Sequence, residues 1–455
     1  MIRNPELLRN AWLELTAHRL IATPLVILLL IALLASSDAE DWKRTAAPIA
    51  IAGFVLASVL WGGRRAYDTI VEEVRAHTWD IQRMSAVSPW SMTWGKILGG
   101  NLYTWYVGTC CLATFMFTYD ASAGGGYANW PAPSLCLLLV LSALFAHGAG
   151  LLSGLNAVRS GRLVKPARNL PITVLGLLLL FWLGQVLLHQ ADSPVLWYGI
   201  PWPAHDFVLG SVGVFAAWSW FGAYRLMSQA LAVRLLPWGS LAFVLFLTFY
   251  LCGFVDSATW SYPSRFAALG ALIGSAATYV EAWKERRDWI AVRRFLRSWR
   301  AGSIDEALLD TPSWLVVAAF TLLMSALTGL LPDNQPPSSL PGMSQELFTT
   351  LALSPTVFAL LMLRDIGLLY FFSLGRRPER AASTTLVYLL LLYIVLPGLL
   401  NLIGLGFLAF PAAFPLQPGA TWLAPMIAAG HLAAVGWLLK IRLQELGRHG
   451  TPAPS

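Results

Sequence analysis

The residues of this chain with the most to offer chemically lie close together. Between Val71 and Lys96 runs "VEEVRAHTWDIQRMSAVSPWSMTWGK", in which Glu72, Glu73, Asp80 and Lys96 are interleaved with Thr78, Trp79 and Pro89. Such a concentration of charge suits docking against a charged partner. Catalysis has no support, because the sequence holds no nucleophile elbow, no histidine pair at metal-ligand spacing and no Gly-rich phosphate loop ending in Lys-Ser or Lys-Thr. A second set of polar residues sits inside apolar runs: His147, Gln185, Arg364, Asp365 and His431, with Asn101, Asn156 and Asn401. Polar groups are costly in hydrocarbon, so each marks a transport pathway or a hydrogen bond between helices, and the residue types leave both readings open. Arg364 beside Asp365 also reads as an interfacial ion pair.

The elements that must position these residues are set by composition. In 455 residues, 57% of side chains are hydrophobic, 12% are charged and the mean hydropathy is +0.61, which no soluble domain shows. The expectation is an all-α polytopic membrane protein. Crossing a hydrocarbon core takes about 20 apolar residues per helix, and about twelve such runs begin near Leu20, Ala46, Ile97, Pro133, Pro171, Phe207, Trp238, Arg265, Ser313, Leu347, Thr385 and Trp422. No alternating barrel pattern appears, so the spans are helices. The first apolar segment is of span length and "SSDAEDWKR" after it does not resemble a processing site, so the first helix is expected to be retained.

Basic residues fix the orientation. With the N-terminus in the cytoplasm, all but four of the 31 Lys and Arg fall on cytoplasmic flanks; Lys43, Arg44 and Arg265 lie outside and Arg364 lies within a span. Both termini and the charged stretch are then cytoplasmic, in an inner (plasma) membrane protein. The net charge of +7 reports topology and membrane lipid, and gives no support for nucleic acid. Cys110, Cys111, Cys136 and Cys252 occupy apolar runs without ligand spacing and read as small packing residues. Gly150 with Gly154, and Gly270 with Gly274, have the spacing of a close helix contact or of lipid-facing glycines.

The chain also repeats itself. "TIVEEVRAHTWDIQR" from Thr69 follows the second span and "TYVEAWKERRDWIAVRR" from Thr278 follows the eighth, which pairs Glu281, Arg287 and Asp288 with the first charged stretch. "SPW" at Ser88 and "TPSW" at Thr311 open the next spans. "RLIATP" and "RLLP" precede spans one and seven, and basic turns follow spans four and ten. Four correspondences in one order predict two parallel six-helix halves, residues 1–225 and 226–455.

Within the first stretch, Val71, Val74, Ile81 and Met84 fall at helical spacing with charges on the other faces, the pattern of an amphipathic cytoplasmic helix. Pro89 should break that helix and Lys96 should snorkel beside span three, giving an elbow along the membrane; a solvated loop anchored by its aromatic residues is the plainer alternative. Glu73, Thr78, Trp79, Asp80, Ser88-Pro89 and Gly95-Lys96 together resemble the cytoplasmic coupling segment of type-2 ABC export permeases. His77 stands where those proteins usually have Gly.

The resemblance implies a permease subunit that binds no cofactor itself and works with a separate cytoplasmic ABC ATPase, a dimer carrying ATP and Mg. Twelve spans would let one chain supply both halves of the pathway, with a homodimer left open. The basic run from Lys284 to Arg300 would meet either an acidic ATPase surface or anionic lipid. The competing reading is an ion-coupled secondary transporter built from two six-helix halves, against which stands the shortage of ionisable groups at membrane depth. Nothing in the residues identifies the cargo or its direction.

Overall fold

The computed structural model describes residues 4–37, 42–85, 87–119, 130–159, 194–255, 261–285, 289–331, 355–375, 378–411 and 423–449. They are overwhelmingly helical, as expected of apolar runs without a barrel's alternation, and the described strands are the three-residue segments Val195–Trp197 and Ile200–Trp202. Among the described residues, eight helices are long and apolar enough to cross a membrane. A ninth is added if the pair bent by 96° before Ser313 counts as one span. The expected number was about twelve. The expected fifth span, from Pro171, lies outside the described residues, as do residues 347–354 of the tenth. The third is interrupted at Gly100–Asn101, and the seventh is a helix of 15 residues.

The chain divides into two compact units: residues 1–195 with 200–235, and residues 196–199 with 236–455. In the first unit, α1 (Pro5–Glu14) precedes α2 (Ala17–Ser37). Helix α3 (Trp42–Phe54) then runs through a π-helical turn, Val55–Trp61, into α4 (Gly62–Arg75). Next come the short α5 (Trp79–Arg83) and α6 (Pro89–Trp94), a second π-helical turn at Gly95–Gly99, α7 (Leu102–Thr118), α8 (Ala132–Arg159) and α9 (Ala204–Ala230). Helix α8 is central, packed on α4 and α9. Its approach to α4 depends on glycine, since a Cβ on Gly150 would lie 2.1 Å from the Gly63 carbonyl oxygen and one on Gly154 would lie 2.6 Å from Ile70 Cγ2. Ile70, Val71, Trp79, Ile97, Leu151 and Met227 close the core beneath.

The second unit holds α10 (Trp238–Cys252), α11 (Tyr262–Lys284), α12 (Trp289–Arg300), α13 (Ile304–Asp310), α14 (Ser313–Leu330) and α15 (Pro355–Ser373). After these, α16 (Ala381–Leu390) passes through a third π-helical turn, Leu391–Val395, into α17 (Leu396–Asn401). Then come α18 (Gly406–Ala409) and α19 (Leu423–His449). Glycines again bring helices together, Gly270 and Gly274 of α11 facing Met324 and Thr321 of α14. Ala282, Ala318, Met362, Ile366 and Leu369 form the core around α15.

Candidate functional site

The charged stretch is folded in three pieces, and its geometry follows from the way α4 ends. The His77 amide donates to the Val74 carbonyl at 3.2 Å and the Thr78 amide to the Glu73 carbonyl at 3.0 Å, the paired bonds of a Schellman stop. That stop needs a left-handed residue, and His77 supplies it at φ 56°. Here lies the physical reason other sequences favour Gly at such a position. Thr78 reinforces the turn by donating its hydroxyl to the same Glu73 carbonyl at 3.2 Å. The left-handed turn also shifts the helical phase. Instead of one amphipathic helix burying Val71, Val74, Ile81 and Met84, α4 buries Val71, α5 buries Trp79, and Ile81 and Met84 are 68% and 81% exposed. Pro89 likewise opens a helix where it was expected to break one. It occupies the first turn of α6, where a missing N–H costs nothing, and Ser88 Oγ caps that turn by accepting from the Ser91 amide at 3.2 Å.

Lys96 does not snorkel. Its side chain is fully buried, and Nζ forms an ion pair with Glu73 Oε2, lies 3.4 Å from Glu6 Oε1 and donates to Gln82 Oε1 at 3.0 Å. The Trp79 ring lies beneath, its centroid 5.7 Å from Nζ. Gln82 Nε2 donates to Glu73 Oε1 at 2.8 Å, and Arg9 bridges Glu6 and Glu73 at 3.0 Å each. Two carboxylates thus face two cations across α1, α4, α5 and the Gly95–Gly99 turn, with no net charge left inside. A buried ammonium is tolerable only with this degree of pairing.

Helix α1 reaches the cluster because Asn4 caps its first turn through Oδ1 and donates Nδ2 to the Ser91 carbonyl at 2.7 Å. It lies on a glycine face, where a Cβ on Gly95 would come within 2.6 Å of Glu6 Cβ. The elbow therefore has a locked interior and an outward tip. Glu72, Asp80, Ile81, Arg83, Met84 and Trp90 are exposed, and Asp80 reaches Arg83 at 3.7 Å.

The second charged segment is built differently. Glu281, in the last turn of α11, is half-buried and accepts from Ser313 Oγ at 3.2 Å, while Arg287 and Asp288 lie outside the described residues. Helix α12 carries Arg293, Arg294, Arg297 and Arg300 on its exposed side.

Of the intramembrane candidates, His147 is buried in the first unit. Its Nε2 donates to the Ser58 carbonyl, within the Val55–Trp61 turn, at 2.8 Å, and Trp105 packs edge-on at 5.2 Å. Asn101 Nδ2 donates to the Ile97 carbonyl at 2.8 Å at the break before α7. Gln185 lies outside the described residues.

Arg364, Asp365 and His431 come together in the second unit. Asp365 Oδ1 accepts from Arg364 Nε at 2.9 Å and Nη2 at 2.7 Å, and Oδ2 accepts from the hydroxyls of Tyr279 and Tyr393 at 2.7 Å each. Arg364 Nη1 lies 3.3 Å from His431 Nδ1, and its guanidinium stacks 4.8 Å from the Tyr393 ring centre. Tyr393 sits in the Leu391–Val395 π-turn. The expected pair is formed, and it sits almost wholly buried at a four-helix junction.

The partners Asn4, Glu6, Arg9, Gln82, Tyr279 and Tyr393 carry no motif of their own. Only Asn4-Pro5 before an amphipathic run signalled α1 as a capped helix. No family model, curated protein or solved structure matches the chain.

Proposed function

We propose that the chain is the membrane-spanning permease subunit of an ATP-binding-cassette exporter, and that the elbow from Glu72 to Lys96 receives force from a separate ATPase dimer that binds ATP and Mg. The observation carrying this reading is the combination of a charge-locked interior with Ile81 and Met84 exposed at the tip beside Asp80. A coupling element must be stiff to pass on motion, and must present an apolar anchor with a charged rim to be gripped. In this reading the membrane is the inner membrane, the termini are cytoplasmic, and twelve spans form two parallel six-helix halves. The motif resemblance supplies the partner's class.

The test uses tip residues that hold nothing inside the elbow. Asp80→Lys with Ile81→Ser and Met84→Ser should abolish co-purification with an ABC ATPase that the unmodified chain captures from its own cells, and that ATPase's stimulated ATP turnover, at unchanged membrane expression; capture of no ATPase by the unmodified chain also refutes the reading. Retained association and turnover would refute the coupling role.

A second reading, ion-coupled secondary transport, is favoured by one observation: the ionisable Arg364–Asp365–His431 junction, whose Arg364 and Asp365 lie midway along the apolar helix Pro355–Ser373. Uptake or efflux by proteoliposomes of the chain alone under an ion gradient, without ATP and lost in Asp365→Asn, would select it.

A further inference from the structure

Helix α2 is held loosely. Its outward residues Ile21, Leu25, Leu28, Leu29 and Leu33 are all more than half exposed, as for a helix facing lipid. Its inner side is tied to α7 where Tyr106 donates to the Leu20 carbonyl at 2.7 Å and Thr23 meets the Tyr103 hydroxyl at 3.0 Å, but a gap is left against α3 and α7 beside those bonds. Small residues line the gap, among them Ala22, Ala46, Ala50 and Gly53, and leave an apolar groove of about 410 Å³. A void of that size in hydrocarbon forfeits the dispersion contacts that close packing would give. At the α1 end the groove meets a polar cavity of about 360 Å³ lined by Glu14, Arg19, Arg65 and Thr104. Trp61 and Tyr103 line both, packed edge to face at 5.8 Å, and form the collar where apolar lining gives way to polar.

Charge selects the occupant. Glu14 lies between two arginines, pairing with Arg65 and with Arg19 at 3.2 Å, so the polar cavity carries one positive charge in excess. Arg19 and Arg65 each keep about a third of the side chain exposed or more, which leaves N–H donors for a second anion, and the Tyr103 ring holds the Arg19 guanidinium at 5.3 Å. The shape is that of one amphiphile: an anionic head at a paired-arginine site, then a chain descending between α2 and the α3–α7 pair.

We infer that this groove is a binding site for a single anionic glycerophospholipid, its phosphate at Arg19 and Arg65 and one acyl chain along Ala22, Ala50 and Gly53. The site lies within the first unit and does not depend on the ATPase reading. A lipid seated there stiffens α2 against α3 and ties α2 to the end of α1, which carries Glu14.

The experiment is native mass spectrometry of the full chain, delipidated in detergent and titrated with phosphatidylglycerol, with phosphatidylcholine of the same chains, and with soluble glycerol phosphate. The expected result is one phosphatidylglycerol retained about fivefold or more tightly than phosphatidylcholine, given about one such factor per basic contact, and no retention of glycerol phosphate. Arg19→Gln with Arg65→Gln should erase the preference while leaving phosphatidylcholine binding unchanged. Glu14→Gln should strengthen it, and Ala50→Trp should weaken both lipids by filling the groove. Equal binding of the two lipids, or a preference untouched by the arginine variants, overturns the proposal. As a check that needs no variant, a phosphatidylglycerol bearing a diazirine in its acyl chain should crosslink the unmodified chain within α2, α3 or α7. Crosslinks confined to other helices also overturn it.

Discussion

Lys96→Met tests the elbow most sharply, because it removes the cation that Glu6, Glu73, Gln82 and the Trp79 ring all address. Lys96 is fully buried, and its loss leaves Glu73 and Glu6 facing each other with only the half-exposed Arg9 between them. Breaking a buried ion pair from one side costs about 3–5 kcal/mol. Glu73→Gln should sit at or below the low end of that range, since Lys96 keeps Glu6 and the Gln82 amide as partners. The double variant should cost less than the two single changes added, by about 1–3 kcal/mol, because the residues share one network. The assay is hydrogen exchange of the amides from Glu73 to Met84 in nanodiscs. A loss of about 3 kcal/mol in local opening speeds exchange by about two orders of magnitude, or to the unprotected rate if that is reached first. Exchange in α15, which belongs to the second unit, should stay put. Unchanged elbow exchange in Lys96→Met, or strictly additive single changes, would refute the claim that these charges lock the elbow. For the same reason Glu73 is a poor probe of docking: reversing its charge disrupts the interior before any partner is met.

His77→Gly should stabilise the elbow by about 1 kcal/mol, because it removes the left-handed cost at φ 56° while keeping the Schellman bonds; slower exchange at Thr78 is the readout, and faster exchange would show that the imidazole has a role the turn does not explain. Gly150→Val should force α8 away from α4, since its first side-chain atom would fall 2.1 Å from the Gly63 oxygen, whereas Gly430→Val meets open space and should be neutral. Thermal unfolding of the two variants side by side separates a packing contact from a general intolerance of larger residues. Asp365→Asn should destabilise the second unit by about 3–5 kcal/mol by stripping Arg364 of its counter-charge, and Tyr279→Phe and Tyr393→Phe by about 1–2 kcal/mol each. If the tyrosine variants are silent in the same measurement, the hydroxyls are not holding the carboxylate.

Composition marks this chain as one suited to a membrane, the lack of an alternating barrel pattern makes its apolar runs helices, because a bilayer leaves the backbone only those two ways to pair, and run length then marks where most helices lie. Local chemistry shows only in part in the letters: Pro89, expected to break a helix, opens one behind Ser88, and Gly150 with Gly154, equally readable as lipid-facing glycines, make a close contact. The sequence could also single out Arg364 and Asp365 as unusual. It could not show that Tyr279, Tyr393 and His431 converge on them, since each lies on a different helix and the repeat that contains Tyr279 gives no sign of its partner. The elbow makes the same point over a shorter range. A helical period read across Val71 to Met84 assumes one continuous helix, and a single left-handed residue at His77 rotates everything after it. That rotation moves Ile81 and Met84 outward and brings Gln82 to Lys96. Whether a lysine lies in water or in a core depends on which groups meet it, and Glu6 meets Lys96 only because α1 folds back across ninety positions of sequence. Pattern along the chain sets what each segment can become; contact between distant segments decides which charges are buried and which face is left for a partner.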